Sequence, residues 1–201
     1  MTLLDEAVAR LEKMITGTGC EDASAVLQRA PDAPRCQYVR GACIEVCFGG
    51  KTGHVAGDYP VQGTFPVTSI FGKEFTTGEQ RAAALAILNA TAGFLSLARK
   101  LTACERARYT GCFQELKKTL GGHTVFTAAP IPVLMGVPGI DIVDEPDSAD
   151  ILLVTPAALM QEEGLVLVSA WPAQKRIIFL GPSVAGVSQI LGKEHWCPYG
   201  R

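Results

Sequence analysis

A chain of 201 residues has the length of one large domain or two small ones. With 48 % hydrophobic against 19 % charged residues it carries enough apolar surface for a sizeable core, which excludes global disorder. A formal net charge of −2 without a long basic run excludes a general nucleic-acid binder, whose affinity rests on clustered Lys and Arg.

No stretch approaches the ~20 apolar residues of a membrane span. The acidic, amphipathic start MTLLDEAVARLEKM lacks the basic end and apolar centre of a signal peptide, so the expectation is a cytoplasmic protein with no membrane partner. Leu4, Val8, Leu11 and Ile15 recur at helical spacing and predict a first helix, with Asp5 and Glu6 suited to its N-terminal end. Residues 16–35, rich in Gly, Pro, Asp and Ser, read as loops around a short helix over 23–29. Residues 36–48 have strand composition, with Ile44, Val46 and Phe48 on one face and Cys43, Glu45 and Cys47 on the other. Gly49-Gly50-Lys51-Thr52-Gly53 then makes the turn of a β-hairpin. It is not a phosphate-binding P-loop, because the Gly-x4-Gly-Lys-Ser/Thr spacing is missing.

Residues 54–75 read as a long irregular connection with short strands, a length that is often functional. Thr77 followed by Gln80 is a capping-box pattern and opens a helix over 77–100. Ala83, Ile87, Ala90 and Phe94 line one face and Ala84, Leu88, Thr91 and Leu95 the next. A helix apolar nearly all round belongs at a domain or subunit interface, so a homodimer is a candidate assembly. A second helix is predicted over 104–120, ended by Gly121-Gly122. Short strands over 123–128, 140–143, 151–155 and 177–180 then alternate with helical segments, the longest over 157–169. That rhythm predicts an α/β fold with a parallel sheet of Rossmann type. The boundary falls near Thr102, dividing the chain into an α+β part, 1–102, and an α/β part, 103–201.

The candidate site is built on strand ends. Ile177 to Leu180 is a continuous apolar run, as in a strand covered on both faces. Gly181 and Pro182 stop it, and Ser183 is placed to cap the next helix, leaving backbone N–H groups at the carboxyl edge where open α/β sheets bind ligands. Glu145 and Thr155 follow two other strands and should reach the same edge. There Glu145 would accept a ribose hydroxyl, bind a metal or act as a base, or else be a solvated loop acid. Thr155 is a ligand contact or a turn former before Pro156. Asn89 sits on the apolar helix, and a buried amide must either orient a ligand or tie down a loop.

Seven cysteines without a CxxC pair read as reduced thiols, lacking the zinc-ribbon and redox signatures. Cys43 and Cys47 stand ~13 Å apart on a strand, and Cys104 and Cys112 ~12 Å apart on a helix. Neither pair chelates one ion, and small apolar filler is the expected role. His54 with Asp58 is the one His-acid pair near a plausible cleft. The tail from His195 to Arg201, HWCPYGR, is a last strand or a dimer contact.

Three segments carry a resemblance: RAAALAILNAT with Asn89, IDIVDEPDSADILLVTPAALM with Glu145 and Thr155, and RIIFLGPSVAGVSQIL with its Gly181-Pro182-Ser183 turn. In this order, over roughly residues 81–192, they resemble the heavy-metal chelation family of uncharacterised bacterial and archaeal proteins. Where that family has Thr-Gly-Thr and a later Asn, this chain has Thr155-Pro156-Ala157 and Gln161. The resemblance implies an enolase-N-terminal-like domain followed by a Rossmann-like domain. It implies a cleft between them at the carboxyl edge of the parallel sheet, holding a small molecule, a metal chelate or a cofactor, with a divalent metal the expected ion. Its ligand contacts would fall on Asn89, Glu145, Thr155, Gly181, Pro182 and Ser183. The alternatives are an S-adenosylmethionine-dependent methyltransferase-like enzyme, against which the missing glycine-rich loop counts, and a non-catalytic structural dimer.

Overall fold

A computed structural model describes all residues, Met1–Arg201, as a mixed α/β fold with two sheets. The first helix, α1 (Leu3–Ile15), is closed at its start by a reciprocal capping box between Thr2 and Asp5. Four strands follow: β1 (Ser24–Arg29), β2 (Ala42–Phe48), β3 (Lys51–Gly57) and β4 (Gly63–Pro66). They form an antiparallel sheet in the order β3-β2-β1-β4. Then comes α2 (Gly78–Phe94), opened by the Thr77–Gln80 capping box.

Residues 23–29 are a strand and not the expected short helix. Ala25 and Leu27 are buried while Ser24, Val26 and Gln28 face out, a period of two that suits a strand between β2 and β4. The start of the connection expected over 54–75 is likewise strand: His54 to Gly57 complete the hairpin opposite Ala42 to Glu45.

The second half holds α3 (Tyr109–Leu120), β5 (Thr124–Thr127), β6 (Asp141–Ile142), β7 (Ile151–Val154), α4 (Pro156–Met160), α5 (Glu162–Ala170), β8 (Arg176–Leu180), α6 (Ala185–Ile190) and β9 (Glu194–Trp196). Its five strands are parallel, in the order β6-β5-β7-β8-β9. The tail thus supplies a fifth strand beside β8. The helix expected over 157–169 is two, broken at Gln161, whose backbone is extended. Gly164 explains the fold-back: a Cβ there would stand 2.5 Å from the Ala158 carbonyl oxygen, so only glycine lets α5 close on α4.

The two sheets lie on either side of residue 102, but the core does not stop there. One cluster of 38 buried residues runs from α1 and the antiparallel sheet through α2 to Leu152, Val154 and Phe179 on one face of the parallel sheet. The other face, with Ile151, Leu153, Ile178 and Leu180, packs under α3 through Leu116 and Leu120. The apolar run over 177–180 is therefore divided between two cores, as a strand covered on both faces requires. Helix α2 packs on β2 and β3 along one side and on α1, α4 and α6 along the other. Its all-round apolar surface is satisfied within one chain and gives no argument for a second copy. No helix is long and apolar enough to cross a membrane.

Candidate functional site

The turn after β8 is held from three directions. Gly181 has φ +89°, a backbone conformation that favours glycine. Its N–H donates to the Trp196 carbonyl at 2.9 Å, and its own carbonyl meets His195 Nε2 at 2.8 Å. Asn89, fully buried, donates from Nδ2 to the Pro182 carbonyl at 3.2 Å and to the His54 carbonyl at 3.4 Å, and accepts from the Gly186 N–H at 2.8 Å. The amide of Asn89 thereby ties the β8–α6 loop and β3 to α2, the loop-fastening alternative of its two readings. Ser183 does not cap a helix. It lies inside a 3-10 turn (Pro182–Val184), and its Oγ accepts from the Ala56 N–H at 3.1 Å, across to β3. Asn89→Ala should therefore cost the free protein about 3 kcal/mol in a urea titration, because it strands buried backbone groups. An Asn89 that served only a ligand would leave that titration unchanged.

Glu145 immediately precedes a 3-10 turn (Pro146–Ser148) that brings the chain back from β6 toward the amino edge. Strand β6 has only two residues, so the chain turns back at once. Three residues on, the Ser148 carbonyl accepts the Thr124 hydroxyl at the first residue of β5, and the Asp147 carbonyl accepts Lys175 just ahead of β8. Both partners lie at the amino edge. Strand β6 is also three interstrand spacings from β8, roughly 14 Å. Thr155 follows β7 beside the point where the strand order reverses, the usual ligand position of such sheets, but it is only 2 % exposed and lines none of the principal cavities. Of the expected residues, Gly181 and Pro182 line a principal cavity at this edge.

That cavity lies between the two halves. A strap from the β1–β2 connection, Cys36 to Tyr38, crosses the ends of β8 and β9 and meets the segment leading into α3. Gln37 Nε2 donates to the Tyr109 carbonyl at 2.9 Å, and the Tyr109 hydroxyl donates to the Arg35 carbonyl. The tail closes the remaining side: Thr102 and Arg201 exchange backbone hydrogen bonds at 2.6 and 3.0 Å, and Lys100 Nζ donates to the Pro198 carbonyl at 2.9 Å. The walls are mainly apolar and enclose about 300 Å³ counted out to the mouth, with interior room for scarcely one water. Beyond Cys104 and Tyr199 an open groove continues, with Glu105, Arg108 and Arg201 on its sides.

Four thiols line this one cavity: Cys36, Cys104, Cys112 and Cys197. Cys104 and Cys112 do not share a helix as expected: α3 begins only at Tyr109, and Cys104 lies in the loop before it. Burial pushes Cys36 up to about 12 and Cys197 to about 11, and raises Cys104 as well; each is opposed further by charge on the neighbouring thiols. Cys36, Cys104 and Cys197 therefore stay protonated at neutral pH unless a cation stabilises their ionised form. Tyr38 is buried against them, its hydroxyl 3.5 Å from Cys112 Sγ. The indole N–H of Trp196, another wall residue, is buried without a partner.

No group of three or more His, Cys, Asp or Glu side chains is placed to hold a single metal ion. His54 belongs to β3 and faces Glu45, its cross-strand neighbour, at 3.7 Å. Burial lowers its pKa more than Glu45 raises it. The unfolded chain therefore binds the proton more readily, and the stability due to neutral His54 is present above its unfolded pKa, about 6.5, and is lost as pH falls. Urea titrations from pH 7.5 to 5 should show stability declining by up to about 1.4 kcal/mol per pH unit from this group. His54→Gln should flatten that slope.

Comparisons with family models, with curated proteins and with solved structures found no match to this chain.

Proposed function

We propose that the protein binds a soft metal ion or a metal-containing cofactor at the carboxyl edge of its parallel sheet, in the thiol-lined cavity between the two halves. The observation that carries this reading is the convergence of Cys36, Cys104, Cys112 and Cys197, from four distant parts of the chain, on one mainly apolar cavity. Thiolates select zinc, copper(I) and iron–sulfur centres over hard cations, and the protein's contribution would be a dry, shaped pocket with the tail and strap as its walls. Seen this way, Gly181 and Pro182 are wall residues, while Asn89 and Ser183 hold the wall in place. The resemblance of residues 81–192 to a heavy-metal chelation family points the same way. Nothing favours the methyltransferase alternative, since the turn after the first parallel strand, Ala128-Ala129-Pro130, has no glycine to cradle a cofactor.

Elemental analysis with native mass spectrometry, on protein purified without oxygen, tests this. The expected result is a stoichiometric metal that is lost on thiol alkylation. A metal-free protein carrying a nucleotide-sized adduct, or no adduct after incubation with zinc, copper(I) or iron and sulfide, overturns it.

A further inference from the structure

We infer that Cys36, Cys104, Cys112 and Cys197 are the four ligands of an iron–sulfur cluster. The inference rests on the metal-binding reading above and names its cofactor. A lone zinc ion needs its four sulfurs ~2.3 Å from one point. The protein's side chains are not gathered that tightly, yet all four thiols face the same cavity. A cluster takes four thiolates on separate metal atoms and so accepts them spread around a larger centre. The surroundings fit the cluster's needs. The walls are mainly apolar, and hydrogen-bond donors to the sulfurs are at hand in the Tyr38 hydroxyl, already 3.5 Å from Cys112 Sγ, and in the unpartnered indole N–H of Trp196.

The interior is now close to the size of one water, so the walls must move outward on loading. Cys36, Cys104 and Cys197 all lie in loop segments without helix or strand, and only Cys112 is fixed on α3. Ligation of a preassembled cluster transfers no electrons. Four cysteine S–H bonds and four bonds from the cluster irons to dithiothreitol thiolates break, four bonds from iron to the cysteine sulfurs form, and the displaced thiolates leave with the four protons.

The test is anaerobic reconstitution of the full chain with iron and sulfide in dithiothreitol, followed by removal of unbound material. The expected result is iron and acid-labile sulfide bound in equal amounts, with the broad visible absorbance of a thiolate-held cluster. Each single Ala variant of the four cysteines should lower the bound iron several-fold, while Cys20→Ala and Cys47→Ala retain it. Far-ultraviolet circular dichroism of the metal-free variants separates loss of a ligand from loss of the fold. For any variant that fails to fold, alkylation of the wild-type thiols before and after loading, mapped by mass spectrometry, gives the same answer: these four should be protected and Cys20 and Cys47 not. Stoichiometric zinc or copper without sulfide would overturn the cluster and leave the metal-binding reading standing. Iron and sulfide bound without dependence on the four cysteines would overturn the ligand assignment. No metal of any kind would overturn both.

Discussion

Gly186→Ala should lower the melting temperature by roughly 10 °C, the equivalent of about 3 kcal/mol in a chain this long. On an open helix the same change stabilises by up to about 1 kcal/mol, since alanine is the better helix former. Here packing reverses the sign. A Cβ on Gly186 would stand 2.5 Å from the Asn89 Cα and 2.6 Å from the Leu88 carbonyl oxygen, which are backbone atoms of α2 that cannot swing aside. Helices α6 and α2 would have to separate, and with them the bond from the Gly186 N–H to Asn89. Gly111 on α3 is the control: its Cβ would meet only the Tyr199 ring and hydroxyl at 3.6 Å or more, ordinary contact. Gly111→Ala should be neutral or mildly stabilising. Differential scanning calorimetry of the two variants checks both signs, and equal shifts would refute the close-approach argument.

Arg81→Met should cost about as much, near 3 kcal/mol, by loss of a buried cation that no carboxylate answers. Arg81 is 6 % exposed; its Nε donates to the Met160 carbonyl at 2.6 Å and Nη1 to the Phe75 carbonyl at 2.9 Å. Met160 ends α4, so the guanidinium satisfies one of the orphan carbonyls of a helix C-terminus and sits at the negative end of its dipole. Methionine keeps the apolar stem and leaves one buried and one half-buried carbonyl bare, each charge-assisted bond being worth about 1.5–3 kcal/mol less the relieved desolvation of the cation. Arg81→Lys should recover only part of the loss, because a single ammonium lacks the planar fork that reaches both carbonyls. Urea titration at pH 7 gives the ordering wild type, Lys, Met. A methionine variant as stable as wild type would mean that desolvation cancels the bonds.

What is legible in the sequence is local. The Thr77–Gln80 cap, the hairpin turn at Gly49-Gly50 and the apolar run at 177–180 each follow from neighbouring residues, and the structure keeps all three. Residues 23–29 do not announce a strand because their composition is neutral and the pairing partners that make them one lie at 44–47 and 63–66. The surroundings of Glu145 are hard to read for a related reason: an apolar stretch followed by an acid looks like a long strand end, but the strand is two residues long and the chain is back at the first residue of β5 by Ser148. The thiol cavity was hidden altogether. Spacing arithmetic judges cysteines that share an element, whereas these four arrive from a strap, a loop, a helix and the tail. The available signal was the tail itself, where a cysteine stands between a tryptophan and a tyrosine too apolar to be left in solvent.

Helix α2 has a kinetic consequence. It packs on the antiparallel sheet along one side and on α4 and α6 of the second half along the other, within one continuous core, which works against the halves rocking like jaws about a hinge. Anything that reaches the carboxyl edge must pass through local breathing of the strap and the tail. Such loop excursions take nanoseconds to microseconds, whereas hinged domains move in microseconds to milliseconds. Admission to the cavity is then governed by a few hydrogen bonds at the rim, those of Gln37, Tyr109, Lys100 and Thr102. The interior of the molecule can stay rigid throughout.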